Sequence, residues 1–333
     1  LNAPCCSFWP ASSFAMCWGH NEAGKLGDST SGSAAASPVP VTTGIAFGSI
    51  YTGYRHTCAI SLTSTVYCWG WNGANQVGDG TTVNRPQPVA VGAGLGLTSL
   101  ALGRQHTCGL SSTGTAYCWG GNNNGQLGDE PWGNSNPTTV ITVSGGQSFT
   151  SLVAGEGHTC GLTVAGVAWC WGSNQFGESG RPRVGFSIRV APAPVSGSIN
   201  FISLAAGQFH TCGIDTSGDA YCWGANWNGQ VGDGTLGNER DVPTRVSGTT
   251  KFVSIVTGER HTCAIATNRS AWCWGNRYSV GDEATADRAS PVAVSGSNTF
   301  TRLLSGGRRT CGWTTDPASS VVCWGDTNTL DGY

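Results

Sequence analysis

The sequence predicts an all-β, seven-bladed β-propeller with four-stranded blades and one disulfide inside each blade. Three observations carry this expectation. The triplet Cys-Trp-Gly begins at Cys17, Cys68, Cys118, Cys170, Cys222, Cys273 and Cys323, at intervals of 50 to 52 residues. Each interval holds four short strand signals and no long amphipathic helix. The cysteines recur in pairs at hairpin spacing. Four strands per repeat, repeated this often, describe a propeller, whereas a solenoid would need polar caps at its ends. Residues 1–333 are expected to form this one domain.

The strands follow in a fixed order. The first is an apolar alternation such as Phe47-Gly48-Ser49-Ile50 or Phe201-Ile202-Ser203-Leu204. The second carries Gly-x-x-His-Thr-Cys, from Gly53, Gly103, Gly155, Gly207 and Gly258 to Cys58, Cys108, Cys160, Cys212 and Cys263. The third carries Tyr-Cys-Trp-Gly, with Tyr67 and Trp69 on one side and Cys68 on the other. The fourth follows a proline, as at Pro86, Pro192, Pro243 and Pro291. Proline lacks an N–H, so this strand belongs at the outer edge of the sheet. The second and third strands occur seven times, the inner and outer strands six times each. One blade therefore lacks an inner strand and another an outer one. Residues 1–4, residues 327–333 or a neighbouring molecule are expected to fill such a gap, because an open edge invites strand addition.

Five of the cysteine pairs are ten residues apart: Cys58/Cys68, Cys108/Cys118, Cys160/Cys170, Cys212/Cys222 and Cys263/Cys273. Cys311/Cys323 are twelve apart, which adds one residue to each arm of the hairpin and keeps the register. Cys17 has Cys5 or Cys6 as its partner. Opposed residues of an antiparallel pair stand within disulfide reach, so each pair is expected to be bridged, at roughly 2–3 kcal/mol per bridge in the chain-entropy model. No C-x-x-C suggests zinc, and abundant paired cysteine indicates an oxidising, extracellular compartment. With 15 cysteines one is left over, either for an intermolecular bridge or as an inert thiol.

Composition narrows the function. Charged residues are 11 % of the chain and the formal net charge is -2, against roughly 25 % charged in an average domain. A nucleic-acid binder needs a clustered basic surface, and a polybasic membrane binder needs the same. No run is long and apolar enough for a membrane helix, and 39 % hydrophobic residues exceed what disorder allows. The chain begins at Leu1, without Met and without a charged-then-apolar leader, and reads as a mature or trimmed chain from which any signal peptide has gone.

After each triplet the fuller copies read Asn-x-x-Gly-Gln/Lys-Leu/Val-Gly-Asp: Asn21 to Asp28, Asn72 to Asp79, Asn122 to Asp129 and Asn226 to Asp233. With Gly-x-x-His before the second strand, this pattern resembles the regulator of chromosome condensation repeat family over essentially the whole chain. The resemblance implies seven blades in a closed ring. Some members exchange nucleotides or bind chromatin, but the regular intervals leave no room for a long inserted wedge. Other relatives are secreted binders, one of which inhibits β-lactamases with one face. The paired cysteines depart from the family pattern and suggest a disulfide-stapled extracellular branch. The fourth copy, Asn174 to Glu178, loses Leu-Gly-Asp; the sixth, Asn276 to Asp282, is shortened; the seventh has Arg309 in place of His.

His56, His106, His158, His210 and His261 are copies of one repeat position. A catalytic residue is normally unique, so these are expected to bond between strands or blades; a hydrolase or lyase using them is the outlying alternative. Asp28, Asp79, Asp129, Asp233 and Asp282 end a Gly-Asp turn and are expected to bond their own backbone rather than a metal. No catalytic or cofactor motif is present, so neither cofactor nor metal is expected. The interface candidates are non-repeated: Trp71, Trp132, Phe176 and Trp227, with Arg181, Arg183 and Arg189. Trp and Arg are the types that anchor interfaces. Asn268-Arg269-Ser270 is a glycosylation sequon at a hairpin tip, and the Ser/Thr-rich stretch from Ser29 to Thr43 could take O-glycans. The expected role is a non-enzymatic, secreted or cell-surface interaction propeller whose partner is protein, foremost a second copy in an assembly or filament. The alternative is a monomeric secreted module (inhibitor, adhesin or glycan binder) using one face.

Overall fold

The computed structural model describes residues 5–8, 14–42, 44–129, 136–183, 188–283, 285–316 and 321–326. Its seven antiparallel sheets are the blades of an all-β, seven-bladed β-propeller. Blade 1 comprises β1 (Cys5–Phe8), β2 (Ala15–Gly19) and β3 (Ala35–Pro40). Blade 2 comprises β4 (Phe47–Thr52), β5 (His56–Ser61), β6 (Val66–Gly70) and β7 (Arg85–Val91). Blade 3 comprises β8 (Leu97–Leu102), β9 (His106–Ser111), β10 (Ala116–Gly120) and the short β11 (Ile141–Thr142). Blade 4 comprises β12 (Phe149–Ala154), β13 (His158–Thr163), β14 (Ala168–Ser173) and β15 (Ile188–Pro194). Blade 5 comprises β16 (Phe201–Ala206), β17 (His210–Asp215), β18 (Ala220–Gly224) and β19 (Arg240–Arg245). Blade 6 comprises β20 (Phe252–Thr257), β21 (His261–Ala266), β22 (Ala271–Gly275) and β23 (Arg288–Ala293). Blade 7 comprises β24 (Phe300–Gly306), β25 (Arg309–Thr314) and β26 (Val322–Gly325).

The strand count agrees with the sequence: among the described residues blade 1 has no inner strand and blade 7 no outer one. The segments proposed to fill those gaps, 1–4 and 327–333, lie outside the described residues. The proline-bearing strands β7, β15, β19 and β23 stand at the sheet edges, where a missing N–H breaks no ladder.

Register follows from the cysteines. Cys58 faces Cys68, and the same pairing recurs through Cys311 opposite Cys323. Every bridge spans a Cα–Cα distance of 4.0–4.1 Å. In blade 1 the bridge is Cys6–Cys17, and Cys5 stands opposite Trp18. That settles the alternative the sequence left open, because one-residue slippage would turn Cys17 away from its partner.

Two compact units make up the chain: one built chiefly from residues 1–157, the other chiefly from 158–329. In the first, Leu26 of blade 1 and Phe47 and Trp69 of blade 2 pack with Cys6 and Cys17. Val77, Cys58 and Cys68 pack with Leu97, Leu100 and Trp119 of blade 3. In the second, Ile214 and Val231 pack with Phe252 and Trp274 of blade 6, and Val280 with Phe300 and Leu303 of blade 7. Within each unit these clusters are seams between successive blades, each with disulfide sulfurs in its wall.

Candidate functional site

The repeated polar residues are consumed in holding these seams. His56 Nε2 lies 2.7 Å from Thr107 Oγ1 on the following blade. His158 reaches Thr211 at 2.9 Å, His210 reaches Thr262 at 3.0 Å and His261 reaches Thr310 at 2.8 Å. Thr107, Thr211 and Thr262 donate onward to the carbonyls of Gln76, Glu178 and Gln230. The same three carbonyls accept the indole N–H of Trp119, Trp223 and Trp274 at 3.0 Å. Because each of these hydroxyls donates to a carbonyl, its oxygen accepts from imidazole Nε2–H, which fixes the histidine tautomer. Burial lowers the histidine pKa to about 3 for His56 and His210 and about 4 for His158 and His261. These imidazoles are neutral clasps shut away from solvent, as their repetition implied. The glycine of Gly-x-x-His is required because a Cβ at Gly103, Gly207 or Gly258 would run into the ring.

The Asn…Asp loops are self-contained. Asn72 Oδ1 accepts the Val77 N–H at 2.9 Å while its Nδ2 donates to Asp79 at 2.9 Å. Asp79 Oδ1 accepts the Thr81 N–H at 3.0 Å, the expected Asx turn, and Asp28 and Asp233 do the same with Thr30 and Thr235. Desolvation acts to raise the Asp79 carboxyl, but bonds from Thr81, Arg85 and Asn72 outweigh it and hold the carboxyl below its ordinary value. Sequence reasoning missed the arginines: Arg85, Arg240 and Arg288 open the outer strands and pair with Asp79, Asp233 and Asp282 at 2.5–2.6 Å. The recurrence of Arg six or seven residues after Gly-Asp was the available signal. Among the described residues no group of His, Cys, Asp and Glu is arranged to hold a metal.

What remains free is the end of each blade where the turn between its first two strands and the loop after its third emerge together. In the second unit this end carries an aromatic cluster. Phe176 follows β14, Phe209 lies between β16 and β17, and Trp227 follows β18. Their ring centroids stand 4.7 Å (Phe176–Trp227), 5.2 Å (Phe176–Phe209) and 5.7 Å (Phe209–Trp227) apart, edge to face. The Arg260 guanidinium, from the turn between β20 and β21, lies 5.8 Å from the Trp227 ring centroid. Trp227 Nε1–H donates to Glu239 at 3.3 Å, and Arg183 lies 3.9 Å from Glu239 and 2.7 Å from Asp241. All three aromatics are half-buried, so they pack together and still present ring surface.

Three of the candidates, Phe176, Trp227 and Arg183, therefore converge. Phe209, Arg260 and Glu239 were missed, although the first two occupy the variable positions of Gly-x-x-His. Arg181 instead donates to the Cys170 carbonyl at 3.0 Å, within its own blade. Trp71 belongs to the first unit, where Arg55 stacks 4.9 Å from its centroid. Trp132 and the Arg189 side chain lie outside the described residues. Asn268 is exposed at its hairpin tip, its Oδ1 accepting from the Ser270 hydroxyl at 2.7 Å.

A family model described as the RCC1-like domain matches residues 14–331. The chain is 29 % identical over 267 residues to the ultraviolet-B receptor UVR8 of Arabidopsis thaliana, covering 78 % of this chain and 48 % of that protein; it spans about half or less of the curated relatives it matches. Among solved structures it resembles Prp20p of Saccharomyces cerevisiae, with a TM-score of 0.78 at 23 % identity, covering 89 % of this chain and 76 % of that one. It also resembles the ectodomain of the Physcomitrella patens receptor kinase CR4, with a TM-score of 0.59 at 20 % identity, covering 98 % and 75 %. With a matching domain over nearly its entire length and the repeat residues placed as blade-to-blade clasps, the chain belongs to the RCC1-like domain family.

Proposed function

We propose that this chain is a non-enzymatic, extracellular protein-interaction propeller that binds through the Phe176–Phe209–Trp227–Arg260 surface. The observation that carries this is a division of labour. The repeated His, Thr, Asn and Asp side chains bond within the fold, while the non-repeated positions at one blade end gather aromatics and arginine, the types that dominate interface energetics. Seven disulfides support an oxidising compartment, as does the likeness to a receptor-kinase ectodomain. A solved relative described by its binding to Gsp1p and histones supports protein as the partner class. The test immobilises wild-type chain and a Trp227→Ser/Arg260→Ala variant in the extracellular material of its source. A partner kept by wild type and lost by the variant at unchanged melting temperature supports the assignment; equal retention would sink it.

A second reading is self-association into a larger assembly. It rests on a different observation, the three-stranded blades 1 and 7, whose edges β1 and β26 are open to strand addition among the described residues. Light scattering decides it: mass that grows with concentration supports the assembly, and constant monomer mass dismisses it.

A further inference from the structure

Six of the seven disulfides are sealed and one is not. In the first six bridges Cys6 is 8 % exposed and every other cysteine 0 %. In the seventh, Cys323 is exposed and Cys311 half-buried. The cause lies in the blade. Elsewhere an outer-strand residue sits beside the third-strand cysteine, Val89 by Cys68, Thr244 by Cys222 and Val292 by Cys273. Among the described residues nothing takes that place beside β26. The following blade also shields Cys212 and Cys263, whose Sγ atoms lie 3.7 and 3.6 Å from Thr262 and Thr310. A second observation concerns the hold on β26 itself. Trp69, Trp119, Trp223 and Trp274 all donate to a carbonyl of the preceding blade, whereas the buried Trp324 Nε1 has no acceptor among the described residues.

We propose that Cys311–Cys323 is a thiol-exchange site, open to an external thiolate while the other six bridges stay closed. The incoming thiolate attacks the Sγ of Cys323, the more exposed residue of the pair. A new S–S bond forms there, the Cys323–Cys311 bond breaks, and Cys311 leaves as a thiolate that takes a proton from water. The product is a mixed disulfide on Cys323 and a free thiol on Cys311, with no net oxidation. A second equivalent of thiol releases Cys323 and departs as the external disulfide. Access decides which sulfur is attacked and how fast, and the sealed bridges react only after their blade opens.

The experiment treats the native protein with reduced glutathione, quenches with N-ethylmaleimide and maps the cysteines by mass spectrometry. Label on Cys311 and glutathione on Cys323 are expected at least about ten-fold faster than modification of any other bridged cysteine. Simultaneous modification of all seven bridges, or earlier modification of another one, would overturn the proposal. A Cys311→Ser/Cys323→Ser variant supplies an independent arm. If it folds it should lose the fast phase and keep six closed bridges; survival of the fast phase also overturns the proposal. If it fails to fold, the wild-type time course alone decides.

Discussion

Thr211 shows how much one hydroxyl can organise. It accepts a hydrogen bond from the His158 Nε2–H, donates its own hydroxyl to the Glu178 carbonyl, and shares that acceptor with Trp223. Thr211→Val keeps the shape and strands the His158 N–H, so it should destabilise the fold by about 1–3 kcal/mol in denaturant unfolding. The histidines also set the acid limit. Their folded pKa values of about 3 to 4 lie below the unfolded value near 6.5. The unfolded chain therefore binds more protons, and stability that is whole above pH 6.5 falls as pH drops toward the folded values, by about 1.4 kcal/mol per pH unit for each histidine below about pH 6. The unfolding midpoint followed from pH 7.5 to 4.5 should show this fall, and a His210→Asn variant should show a shallower one. Lys25 stands where other copies have Gln76, Gln126 and Gln230, and burial lowers its pKa to about 8. A lowered base costs stability below its folded pKa, so Lys25→Gln should raise stability at pH 7 by about 2–3 kcal/mol. That gain should vanish above pH 10.5.

At the level of strands, the central hairpin of each blade was legible because two cysteines ten residues apart fix both turn and register. Strand order was legible from proline, which belongs at an edge. The partner of Cys17 was not: eleven and twelve residues of separation each allow a bridge, and only the pairing of Phe8 with Ala15 decides between them. The aromatic cluster was half legible. Phe176 and Trp227 stand out as departures from the repeat, but their convergence with Phe209 and Arg260 depends on four separate loops meeting at one end. Glycines that looked like simple turn residues have a second duty. At Gly78, φ is +85° and a Cβ would come 2.5 Å from the Trp119 indole nitrogen. Gly78→Ala thus combines backbone strain with a clash against a buried ring and should destabilise by about 3 kcal/mol or more, measured by thermal unfolding.

Each of these four clasps joins a residue to another 49 to 53 positions further on. Neighbouring blades depend on one another, but the bonds that bind them are local to each seam, as in other repeat architectures. Two variants in separate seams, Thr107→Val and Thr262→Val, should therefore have additive effects on unfolding free energy to within about 0.5 kcal/mol. A strong deficit from additivity would show that the seams communicate.

The His–Thr clasp also governs how the protein comes apart. Each is a latch on a single doorway, with no wire running to the next, so breakage at one doorway leaves the others shut. Amide exchange should accordingly disclose several separate openings instead of one collective melt, and the least guarded threshold is the one that leads to β26.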